Sequence, residues 1–310
     1  MFLRPTPAEL ARVKVRARAG FIRGVERIGG FGGKSDVLAQ GEVFAGRPDF
    51  YKVRLQRLAA ATAAQVRSAA ARWLSDGDYT LEVHPFPDYS AATEGADRSA
   101  PPQAGTPPAA RFPALEPATL SNGLKVVLAE RRSIPQVRLD LLLDAGYATD
   151  QFASPGTASL AMTMLDEGTT TRTALQISDR LSGLGARLGA GSRLDVSMVS
   201  LAALRDQLDP SLDLFADIVL HPAFRQSDVE RLRKQLLVQI QREKADPVGL
   251  ALRVFPRLVF GDGHAYSNPW SGSGTEASIR SITRADLVRF HQTWFKPSRA
   301  TIVVVGAITM

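Results

Sequence analysis

The spacing of apolar and polar positions divides the 310-residue chain into three parts. Up to about residue 87 the pattern is helical. Thr6 and Glu9 form a capping box, with Pro7 at the first helical position, and the helix is predicted to run to about Glu26. Thr62 and Gln65 repeat the box and open a helix through Trp73. Asp76-Gly77-Asp78 stops it, and Tyr79 to His84 alternates like a strand. Helices closed by one strand do not complete a sheet domain, so residues 1–87 read as the tail of a preceding unit whose strands lie before residue 1. Such a tail is expected to leave helix faces around Phe21, Val37, Leu38 and Leu55 uncovered. Residues 88–112 hold little that can pack, as in Pro101-Pro102-Gln103-Ala104-Gly105-Thr106-Pro107-Pro108, and predict an extended, semi-rigid linker.

Residues 113–310 mix both periods. Asn122-Gly123 between two strand-like runs signals a hairpin, and Val137 to Asp144 adds another strand. Helices are predicted at about 156–166, 173–182, 207–219, 226–244, 248–259 and 284–293. Strands are predicted at 186–192 and 195–203, and again from Ala300 to Val305. Blocks of strands and helices with hairpins predict an α+β fold, an antiparallel sheet with a helical layer.

Composition narrows the function classes. With 45% hydrophobic and 22% charged residues the chain can bury a core, and no run reaches the roughly 20 apolar residues of a membrane span. The absence of cysteine excludes disulfides, thiolate zinc sites and cysteine nucleophiles. The net charge of +7 is densest at Arg12, Lys14, Arg16, Arg18, Arg23 and Arg27, but only Phe21 is interleaved for stacking and Glu9 and Glu26 share the segment. That is a solvated helix face and not a nucleic-acid surface. Gly29 to Ser35 ends like a phosphate loop, yet Ile28 stands where its first glycine should be and a helix precedes it. Gly183-Leu184-Gly185 follows a helix and precedes a strand, the reverse of a dinucleotide fingerprint. His84, His221, His264 and His291 show no spacing that puts two imidazoles on one helix face. The clusters Arg231, Arg233, Lys234 and Arg242, Glu243, Lys244 read as the exposed side of a long helix.

An ordered set of positions carries a resemblance. Ser121-Asn122-Gly123-Leu124, Pro135, Gly146, Gly156-Thr157-Ala158, Met164-Leu165 and Gly168-Thr169 are followed by Leu184-Gly185-Ala186, Pro222-Ala223-Phe224, Asp246-Pro247, Gly261 with His264 and Tyr266, Gly274-Thr275 and Val303-Val304-Val305-Gly306. Together they resemble the pitrilysin/insulinase family of zinc metallopeptidases, which includes the mitochondrial processing peptidases, over about 113–308. The resemblance implies that the family's His-x-x-Glu-His positions are Ser159, Met162 and Thr163 here, and that the later glutamate ligand falls near Val238 and Gln239. None is a zinc ligand, so the resemblance implies the family fold with no catalytic or metal residue in this chain. It further implies a non-catalytic segment that forms a substrate-chamber wall, inactive alone, with zinc only in a catalytic partner half and a peptide as the shared substrate. The alternative is an independent binding or assembly protein on the same fold, with no proteolytic role.

Overall fold

The computed structural model describes residues 5–74, 77–84, 105, 109 and 112–310, so almost all of the expected linker lies outside the described residues. The first part is helical: α1 (Pro7–Gly24), α2 (Lys34–Ala45), α3 (Phe50–Ala60) and α4 (Ala63–Trp73). Both capping boxes form, Thr6 with Glu9 and Thr62 with Gln65. Gly30 and Gly32 turn the chain between α1 and α2. Residues 77–84 belong to no strand, and Tyr79, Leu81 and Val83 are exposed. A strand exists only as one side of a hydrogen-bonded ladder, and among the described residues no ladder includes Tyr79 to His84. Phe21 is half-buried against Tyr51, with ring centroids 5.6 Å apart, while Leu38, Val43 and Phe44 are exposed.

The second part is an α+β domain. Its strands are β1 (Glu116–Thr119), β2 (Lys125–Glu130), β3 (Gln136–Leu143), β4 (Arg187–Ser192), β5 (Ser197–Leu204) and β6 (Ala300–Gly306), in the spatial order β1-β2-β6-β3-β5-β4. Only β2 and β6 pair in parallel, aligning Leu128 with Val304; the other ladders are antiparallel. The hairpin around Asn122-Gly123 forms as expected, with Gly123 in the left-handed region. The helices are α5 (Thr157–Thr163), α6 (Ala174–Leu184), α7 (Leu208–Leu220), α8 (Gln226–Ala245), α9 (Pro247–Phe260), α10 (Glu276–Ser281) and α11 (Arg284–Trp294).

The period-two pattern of the sheet decides where the core lies. Val137, Leu139, Leu141 and Leu143 of β3 and Val199, Leu201 and Ala203 of β5 point to one face, where α5, α7 and α11 supply Leu160, Met162, Leu214, Ile218 and Leu287. The opposite face carries Arg138, Asp140, Ser200 and Ala202 and is only partly covered. Helix α1 docks on α6: Ala19 is fully buried there, and Arg12 bonds to Asp179 at the rim. Because Ala19 sits in a contact with no spare volume, Ala19→Leu should weaken the seating of α1 by about 1–3 kcal/mol. Limited proteolysis should then release residues 5–74 faster while the α+β domain resists as before.

Candidate functional site

The positions singled out from the sequence meet at one place. Helix α5 runs along the end of the sheet beside β4, and its Ser159 and Thr163 stand one turn apart. They line a cleft of about 300 Å³ together with Gln235 and Gln239 of α8, Gly191 and Ser192 of β4, and Ser271 and Ser273 of the loop before α10. Met162 does not face this cleft; it is fully buried in the core. Val238 is exposed on the outer side of α8, leaving Gln239 as the member of that pair that lines the cleft.

Three local features hold α5 in place. Its amino end begins at Gly156, whose φ of 97° is costly for other residues, and a Cβ there would come within 2.4 Å of Ile279 Cδ1. Buried Asp150 accepts from the backbone N–H of Gly156 at 2.7 Å and of Ala158 at 3.0 Å, satisfying donors that the first turn cannot satisfy itself. Burial raises the Asp150 carboxyl to about 7, against the opposing pull of the N–H groups of Ala158, Gly156 and Thr157. The third feature is Gly272, where a Cβ would lie 2.7 Å from Ser159 Oγ and 2.8 Å from the Tyr147 ring, so the loop closes on α5 only with glycine there.

A buried ion pair fixes the same loop to the helices. Arg253 of α9 donates to Glu243 of α8 at 2.6 Å and to Gly274 O at 2.7 Å. Glu243 also accepts from Ser273 at 2.7 Å, Ser271 at 3.0 Å and Gln239 at 2.9 Å. Burial alone would raise the Glu243 carboxyl, but bonds from Ser273, Gln239, Arg253 and Ser271 outweigh it and hold the group below its ordinary value. Gln239 therefore spends an amide N–H on Glu243, and Thr163 donates to Ser159 O at 2.9 Å. Farther along the loop, Tyr266 donates to Asp195 at 2.7 Å and Tyr147 donates to Trp270 O at 2.8 Å.

This donor set does not fit a zinc ion. It offers two hydroxyls and a carboxamide, and the thioether of Met162 is turned into the core. Among the described residues, no group of three or more His, Asp or Glu side chains is placed to hold a metal. The histidines are dispersed: His84 lies beside Glu82, His221 beside Asp217, His264 accepts from the Tyr266 N–H, and His291 bonds to Val219 O. Arg233, expected on the exposed side of its helix, is instead turned inward. It donates to the carbonyls of Ile279, Arg280 and Ile282 and ties α8 to the end of α10.

Residues 125–259 match the insulinase family, peptidase family M16. An uncharacterized zinc protease of Mycobacterium leprae is 28% identical over 190 residues, covering 61% of this chain and 42% of the relative. The mitochondrial-processing peptidase subunit beta of Rattus norvegicus is 26% identical over 219 residues, covering 69% of this chain and 43% of its own length. A solved peptidase M16 inactive domain from Pseudomonas fluorescens superposes with a TM-score of 0.60 at 31% identity, covering 63% of this chain and 47% of that one. The chain thus spans under half the length of these relatives. Its α+β domain is similar to M16 zinc-protease domains in sequence and fold.

The buried Asp150 carboxyl generates a pH prediction. A carboxyl raised from 3.8 to about 7 holds its proton more tightly folded than unfolded, so Asp150 contributes fully below about pH 4, and that contribution is lost as pH rises through about 7. Asp150→Asn, which mimics the protonated form, should flatten this part of the stability profile. Asp150→Ala should cost about 1–3 kcal/mol at pH 5, where the capping bonds are removed outright. Urea denaturation at several pH values measures both.

Proposed function

We propose that this chain is a non-catalytic segment of a zinc metalloendopeptidase of the pitrilysin/insulinase type, forming part of the substrate-chamber wall and pairing with a catalytic half that carries the zinc. One observation carries the reading. The cleft formed by Ser159, Thr163 and Gln239 is open and pre-formed, yet lined with hydroxyls and carboxamides where metal chemistry would need imidazoles and carboxylates. Such a lining can exchange hydrogen bonds with a peptide and cannot activate water for attack on it.

Two further features support the role. The cleft opens at Gly191 and Ser192 of β4, which is the last strand of the sheet and has no further strand on its outer edge among the described residues. The glycines at 189 and 191 leave room for a second backbone, so an extended peptide can lie along this edge by main-chain bonds. Helix α9 supports the pairing. Val248, Leu252, Phe255 and Val259 form a stripe at helical spacing, flanked by Leu250, Val254 and Leu258, and all are exposed. An apolar surface of that extent on a folded domain marks an interface. The rat relative is itself named a subunit of a peptidase.

The reading is tested by metal content and cleavage measured on the same chelator-free preparation. Zinc well below one equivalent and no cleavage of a mixed pool of unstructured peptides is the expected result. Stoichiometric zinc with chelator-sensitive cleavage would overturn it. For the α9 surface, Phe255→Asp should leave the far-ultraviolet circular dichroism unchanged and abolish association with a catalytic half encoded alongside this chain. Retained association would remove α9 from the interface.

A further inference from the structure

On the far face of the sheet, away from the helical layer, lies a larger groove of about 530 Å³. The end of α1 forms one wall and β3, β4, β5 and β6 form the floor, where Gly189, Ser200 and Ala202 keep it low. The titratable groups lining it are four arginines, Arg23, Arg131, Arg138 and Arg187, and two acids, Glu26 and Asp140. Both acids are already engaged: Arg131 lies 3.4 Å from Glu26, and Arg138 donates to Asp140 at 3.0 Å. Among the described residues, Arg23 and Arg187 are left with no carboxylate. Arg23 gives one N–H to Gly185 O at 2.8 Å, but among the described residues its Nε is buried without a partner, and so is Oε1 of Gln136 nearby. Desolvation, and then the charge of Arg187, depress the Arg23 guanidinium below its ordinary value.

We propose that this groove binds an acidic segment of polypeptide, with a carboxylate seated between Arg23 and Arg187. Two guanidinium groups lining one groove, neither paired with an acid among the described residues, match an anion, and arginine presents a planar fork suited to a carboxylate. The groove is also far larger than a single small anion. The inference goes beyond the proposed chamber role, since this groove and the Ser159 cleft lie at opposite ends of β4: Arg187, Leu188 and Gly189 line the first, and Gly191 and Ser192 the second.

The test uses the full chain and a fluorescent, unstructured Glu-rich peptide, with its Gln-substituted counterpart as the neutral probe, read by anisotropy. Arg187 is exposed on an edge strand, so Arg187→Gln and Arg187→Glu alter charge without opening the core. Arg289→Gln serves as the control, since Arg289 is exposed, lies outside the groove and, among the described residues, pairs with Asp286 alone. The Glu-rich peptide should bind and the Gln-rich one should not, and Arg187→Glu should weaken binding by at least about tenfold while Arg289→Gln leaves it unchanged. Equal binding of the two peptides, or equal loss from the Arg187 and Arg289 variants, would show attraction to the chain's net charge alone and overturn the proposal. Displacement by an equimolar concentration of inorganic phosphate would overturn the peptide assignment and leave a simple anion site.

Discussion

The site depends on holding a helix of seven residues in one position. So short a helix is not stable by itself, since its hydrogen bonds barely exceed the cost of nucleation. Here α5 is fixed by its surroundings. Asp150 satisfies its first N–H groups, Leu160 and Met162 are buried beneath it, and the loop with Gly272 closes over Ser159. These constraints concern shape and backbone bonding and ask nothing of the residues on the cleft side. Positions 159, 163 and 239 can therefore carry hydroxyls and a carboxamide without disturbing the fold.

This separation lets a domain similar to M16 peptidase domains keep its architecture with hydroxyls and a carboxamide lining the cleft. Met162, at the position the resemblance assigns to the family's general base, joins the core as an apolar contact. The charge near the cleft is likewise turned to structural use. Glu243 is closed off by Arg253, Ser271 and Ser273, which hold the loop of residues 269–275 against α8 and α9. Removing one member of such a pair leaves a partly buried charge without compensation, so the network serves rigidity more readily than chemistry.

Much of this was legible in the sequence because periodicity and capping are local. The Asn122-Gly123 hairpin, the boxes at Thr6 and Thr62 and the long helices α7 to α9 follow from short-range patterns. Helix α10 was missed because its six residues are too few to show a period, although Thr275 and Ser278 cap it. Tyr79 to His84 alternates and has no ladder partner among the described residues, since alternation reports a preference and the partner is a tertiary fact. Arg233 was misread for a related reason: its inward turn is set by the unsatisfied carbonyls at the end of α10, 46 to 49 residues away. Asp150 and the Glu243–Arg253 pair likewise become visible only when distant segments are brought together.

The central claim is that the cleft beside β4 receives a peptide and leaves it whole. Hydrogen exchange at the backbone amides of β4, followed as a long unstructured peptide is added and with the peptide then weighed, tests this most directly. The account predicts slowed exchange across residues 187–192 and an intact peptide. Unchanged exchange in β4, or recovery of cleaved fragments that a chelator prevents, would contradict it.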